Sequence, residues 1–121
     1  MEKRFRFEKL EVWQQARKIN QMVYKLTKKF PKEEMFAMTS QVRRASMSIS
    51  SNIAEGSARY SRSDFARFLE IATGSLFEVV TQSVIGFRQA FLTEPEFQEL
   101  YAAAETQGRL LSGLRRSLVE P

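Results

Sequence analysis

Apolar residues recur at steps of three and four along nearly the whole chain, and the pattern breaks at only three places. That spacing gathers one stripe of each segment on one side of a helix. It does not suit strands, whose faces alternate every second residue. The breaks are Phe30-Pro31, the stretch after Gly56, and Thr93-Glu94-Pro95. The spacing predicts helices over about 7–29, 34–56, 62–91 and 94–118. The first seam is Val12, Ala16, Ile19, Val23, Leu26 and Phe30, and the second is Met38, Val42, Ala45, Ile49 and Ile53. The third is Phe65, Leu69, Ala72, Leu76, Val80, Ser83, Phe87 and Ala90; the fourth carries Phe97, Leu100, Tyr101, Ala104, Leu111 and Leu118.

The ends carry matching signals. Glu33 and Glu34 suit the positive end of the second helix, and Gly56 suits its C-terminus. Ser61 or Ser63 can cap the third. Thr93 and Glu96 have the spacing of a capping box, with Pro95 in the first turn. Linkers this short make successive helices antiparallel neighbours. The expected fold is all-α, a single domain over residues 1–121 built as an up-down-up-down four-helix bundle.

Composition narrows the function classes. With no cysteine and no histidine among 121 residues, thiolate chemistry, disulfides and the commonest general base and metal ligand are all missing. No Glu-x-x-His pair, phosphate-binding glycine loop or serine with a nearby activating base is found. The reading is non-enzymatic, with no catalytic residue, cofactor or metal site. The charged N-terminus lacks the apolar run of a signal peptide. No window approaches 18 uninterrupted apolar residues. A cytoplasmic protein without membrane contact is therefore expected.

Net charge is +5, unevenly spread: residues 1–30 hold nine Lys/Arg against three Glu, and residues 93–121 hold three Arg against five Glu. Such asymmetry suits a polyanion, or head-to-tail contact between copies. On the first helix Lys18, Lys25, Lys28 and Lys29 face outward, beside a stripe of Trp13, Arg17, Asn20 and Tyr24. Cations edged by aromatics can hold phosphates and stack bases, so RNA or DNA contact is one reading; a solvated outer face is the other. Arg59, Tyr60 and Arg62 form a smaller patch of the same type.

Two further faces exceed what a core requires. On the second helix Gln41, Arg44, Ser48, Asn52 and Glu55 share one shoulder, with Arg43 on the other. Residues at these spacings reach one another. They read as a polar network between helices or subunits, with Glu70 or Glu78 as partner for an arginine, rather than as a ligand site. The third helix has a second stripe of Arg67, Ile71, Gly74, Glu78 and Ile85 opposite its seam. Its apolar members imply further burial, best met by another copy of the chain.

Some stretches carry a more specific signal. They are Phe7-Glu8-Lys9-Leu10-Glu11-Val12-Trp13-Gln14, Phe30-Pro31-Lys32-Glu33-Glu34, Gln41-Val42-Arg43-Arg44-Ala45 and Ser48-Ile49-Ser50-Ser51-Asn52-Ile53-Ala54-Glu55-Gly56. Phe65, Phe68-Leu69, Ala72 and Gly74-Ser75-Leu76-Phe77-Glu78 extend the pattern. Together they resemble the four-helix-bundle proteins encoded in intervening sequences of bacterial 23S ribosomal RNA genes. The resemblance covers most of helices 1 to 3, while helix 4 matches only in pattern. It implies a ring assembly, commonly a homopentamer. It also implies similarity to accessory proteins of diversity-generating retroelements, which bind nucleic acid and a reverse transcriptase. A protein partner of that kind, or an interaction scaffold without nucleic-acid binding, is the alternative expectation. Two positions depart from the family pattern: Ser50 replaces a frequent proline, and Ser46 a usual alanine.

Overall fold

A computed structural model describes residues 2 and 5–120. Four α-helices form an all-α bundle: α1 Glu11–Thr27, α2 Ser40–Ser57, α3 Arg62–Arg88 and α4 Glu94–Val119. Paired residues climb one helix as they descend the next. Thr27 meets Arg43 and Asn20 meets Ser50 between α1 and α2. Glu70 meets Arg115, and Phe87 stacks on Phe97, between α3 and α4. The core is made by the expected seams, with Ile19, Ile49, Ile53, Leu69 and Leu111 almost fully enclosed. On α3 the buried valine is Val79 rather than Val80. Tyr101 stays exposed.

The helix ends differ from expectation in instructive ways. α1 starts at Glu11, not Phe7, because Leu10 is extended (φ −76°, ψ 128°) and residues Arg6–Lys9 form a separate 3-10 turn. That break folds the N-terminal arm back on the bundle. Phe7 meets Trp13 edge-on at 5.0 Å, and Arg6 donates to the Ser57 carbonyl. α2 starts at Ser40, later than expected. A 3-10 turn (Lys32–Glu34) and a π-turn (Met35–Thr39) precede it, and Ala37 leaves helical geometry (φ −123°, ψ −106°). The wide turn brings Thr39 into the bundle and leaves Phe36 outside.

Gly56 does not end its helix. No glycine has positive φ, and α2 continues through Ser57. Its role is close packing instead: a Cβ at Gly56 would lie 2.7 Å from Phe68 Cβ and 2.9 Å from Phe65 Cδ1. α3 stops at Arg88, not near residue 91, because Ala90 takes the left-handed conformation (φ 64°). The bonds Phe91 N–H to Gly86 O (2.8 Å) and Ala90 N–H to Phe87 O (3.0 Å) make this a Schellman motif with alanine at the usual glycine position. Ser61, rather than Ser63, caps α3 by accepting from the Asp64 amide. The Thr93–Glu96 capping box forms at the start of α4.

Candidate functional site

The α2 shoulder divides into separate pieces. Ser48 Oγ accepts from Ser75 Oγ of α3 at 2.8 Å and from Asn52 Nδ2 at 3.0 Å, tying α2 to α3. Arg43 turns the other way, donating from Nε to Thr27 Oγ1 at 2.8 Å with its guanidinium 4.8 Å over the Tyr24 ring. Gln41, Arg44 and Glu55 are exposed. Within the chain Glu70 is taken by Arg115 at 2.9 Å, while Arg44 and Glu78 have no ion-pair partner among the described residues. A single network running from Gln41 to Glu55 therefore does not form inside the chain. Side chains at this spacing share a face, but on an exposed face water competes for each of them.

A second polar network, centred on Asn20, lies on the opposite side of α2. Asn20 Nδ2 donates to Ser46 O at 2.7 Å and Ser46 Oγ at 2.8 Å, and Asn20 Oδ1 accepts from Ser50 Oγ at 2.9 Å. Ser46 is fully buried. Ser46 and Ser50 thus bind one asparagine. The sequence signal was the i, i+4 serine pair, but nothing in α2 alone names its partner on α1. A second pair of contacts joins α1 to α4: Gln15 donates to the Ala103 carbonyl, and buried Gln107 to that of Val12, both at 3.0 Å.

The basic face of α1 divides by partner. Arg17, Lys18, Lys25 and Lys28 are exposed and unpaired with any carboxylate among the described residues. No acidic residue occurs between Glu11 and Glu33. From Lys18 to Lys28 the helix rises about 15 Å, enough to follow several phosphates. Lys29 instead pairs with Glu96. Its ammonium, helped by the Thr93 backbone N–H, holds that carboxyl down to about 2. Trp13 is half-buried, packed against the core and edge-on to Phe7.

The α2–α3 turn is also reassigned in part. Arg62 donates to the Ser117 and Leu118 carbonyls (3.2 Å to Leu118), satisfying the end of α4. Arg59 is exposed, with its guanidinium 4.6 Å over the Phe68 ring. Arg67 lies over the same ring at 4.8 Å and pairs with Asp64 at 3.3 Å. An open cleft of about 480 Å³ beside the turn is lined by Glu55, Ala58, Arg59, Tyr60, Ser61 and Asp64.

The second stripe of α3 faces outward. Ile71 and Ile85 are more than 40 % exposed, Phe77 is 67 % exposed, and no atom lies within 4 Å of where a Gly74 Cβ would sit. Phe77 borders an apolar groove of about 320 Å³ between α3 and α4, lined also by Leu76, Val80, Tyr101 and Ala104. By length and composition alone α3 is apolar enough to cross a bilayer. Here its seam packs on α2 and α4, and the excess apolarity is the outward stripe.

Comparison with known proteins places this architecture. The chain aligns structurally, with a TM-score of 0.80 and 24 % identity, with a protein of unknown function from the S23 ribosomal protein family of Bacteroides thetaiotaomicron VPI-5482. The match covers 87 % of this chain and 95 % of the other, and it shows a shared fold. Among curated proteins, none matches. The sequence profile of the 23S rRNA-intervening sequence proteins matches residues 8–113, which include nearly all of the bundle. The chain belongs to the family of 23S rRNA-intervening sequence proteins.

Proposed function

We propose that this protein is a non-enzymatic, homo-oligomeric cytoplasmic protein that associates with RNA or DNA through the basic face of α1. The carrying observation is the run Arg17, Lys18, Lys25 and Lys28, exposed along α1 and its C-cap without carboxylate partners among the described residues. Cations left unpaired within a chain are available to phosphates, and their binding releases counterions. The absence of histidine and cysteine from the sequence supports a non-catalytic role. Among the described residues, no three carboxylates converge as metal ligands would.

Assembly rests on the outward stripe of α3. Ile71, Phe77 and Ile85 give it apolar contact area, Gly74 permits close backbone approach, and exposed Glu78 can meet an arginine such as Arg44 of a neighbouring subunit. A pentamer is the number implied by the family resemblance. Multi-angle light scattering is expected to give a single multiple of the chain mass. Ile71→Lys or Ile85→Lys should reduce it to one chain while circular dichroism stays helical. A monomeric wild type at micromolar concentration refutes the assembly.

The apolar α3–α4 groove favours a second reading, a scaffold that seats an enzyme such as a reverse transcriptase. One protein recovered stoichiometrically, undiminished by nuclease, supports that reading. Nucleic-acid binding that weakens steeply with salt supports the first.

A further inference from the structure

Tyr60 is the most exposed aromatic side chain among the described residues, with relative accessibility of 108 %. It is not on a floppy loop. It sits in a bend between two fixed points: Ala58 N–H to Glu55 O and Arg59 N–H to Gly56 O, each 3.1 Å, close the turn before it, and the Ser61 cap follows at once. Displaying a whole phenol ring to water from this short, anchored bend adds nothing to the core. Beside it, Arg59 lies on the Phe68 ring at 4.6 Å and has no carboxylate partner among the described residues. Stacking fixes where its guanidinium points while leaving its charge free. Glu55 and Asp64 complete the walls of the cleft, and of these only Asp64 is ion-paired, to Arg67.

Each group matches one part of an unpaired nucleotide. A base has a flat apolar face for Tyr60, and its phosphate suits Arg59. A carboxylate only accepts hydrogen bonds, so Glu55 favours a base edge that presents two adjacent donors. Guanine does so with N1–H and its exocyclic amine; uracil flanks its single N–H with two acceptors. We infer that the Tyr60–Arg59–Glu55 cleft binds a guanine nucleotide of a single strand, Tyr60 stacking on the base, Arg59 holding the phosphate and Glu55 accepting from the Watson–Crick edge. This inference rests on the nucleic-acid reading above, but uses a separate site, at the end of the bundle rather than along α1.

The test is fluorescence anisotropy of the full chain with dye-labelled 12-mers of GU and AU repeat, as RNA and as DNA, at low salt. The wild type should bind GU repeats about tenfold more tightly than AU repeats. Tyr60→Ala should weaken binding about tenfold, within the range of a lost base–aromatic stack, and Tyr60→Phe should retain it. Glu55→Gln should abolish the preference for GU over AU repeats. If the wild type binds but Tyr60→Ala binds equally well, the cleft is not the site and the α1 reading stands. If no oligonucleotide binds, both readings fall. A change of mass in light scattering on Tyr60→Ala makes Tyr60 an assembly contact and overturns the inference.

Discussion

Replacing Gly56 with alanine tests the packing of this bundle at its closest point. Inside a helix that change ordinarily stabilises by about 0.5–1 kcal/mol, because alanine loses less backbone freedom on folding. At Gly56 the new methyl would sit 2.7 Å from Phe68 Cβ and 2.9 Å from Phe65 Cδ1. The nearer atom is fixed to the α3 backbone, so no rotamer change relieves the contact, and α2 and α3 must move apart. Overpacking of this sort costs about 1–3 kcal/mol. The two effects oppose, and the clash is the larger: the net is a loss of about 1–2 kcal/mol. For a domain of this size that lowers Tm by about 4–8 °C. Gly113→Ala is the control, since no atom within 4 Å meets its Cβ, and it should raise Tm by about 2–4 °C. Thermal melts followed at 222 nm, at one protein concentration because assembly shifts Tm, would read both. If Gly56→Ala is as stable as the wild type, or gains as Gly113→Ala does, the close-approach argument is wrong.

Asn20→Ala removes three hydrogen bonds and orphans the buried Ser46 hydroxyl, so urea unfolding should show a loss of about 1–3 kcal/mol. The loss should shrink in a Ser46→Ala background, and a change below about 0.5 kcal/mol would deny the network any weight. Ala90→Gly should stabilise by about 1 kcal/mol by relieving the left-handed alanine at φ 64°; an unchanged melt would contradict the Schellman assignment. Glu96 is held down to about 2 by Lys29, against an ordinary 4.5. Its contribution is therefore full above about pH 4.5 and is lost as pH falls toward 2. Carboxyl carbon shifts in an NMR titration should place the Glu96 midpoint well below those of unpaired glutamates, and a midpoint near 4.5 would remove the ion pair.

What could be read from the sequence follows from what is local. Periodicity found the seams because a helix repeats every 3.6 residues whatever it packs against, and the Thr93–Glu96 box was visible because both partners lie within one turn. Gly56 was misassigned because a glycine near a helix end has two uses, and only the position of Phe68 on another helix decides between them. Ala90 carried no signal at all, since alanine rarely accepts positive φ and the bonds of the Schellman motif impose it. The Asn20 network crosses from α1 to α2, and Lys29 leaves the basic face by pairing with Glu96. Both depend on which helices become neighbours. Much of the polar segment from Gln41 to Gly56 is internal wiring, as expected, but its partners come from other helices: Ser46 and Ser50 bind Asn20, Ser48 binds Ser75, and Gly56 admits Phe68.

Nucleic-acid contact through α1 depends on its free cations. Its direct measurement is the salt dependence of binding to a single-stranded RNA, compared between the wild type and a variant carrying Arg17→Gln, Lys18→Gln, Lys25→Gln and Lys28→Gln. Each phosphate contact adds about 0.7 to the slope of log K against log salt for a single strand. If all four residues touch phosphate, the variant's slope should be shallower by about 3, with affinity falling at every salt concentration. Equal slopes and equal affinities in the two proteins would contradict the assignment of nucleic-acid contact to this face.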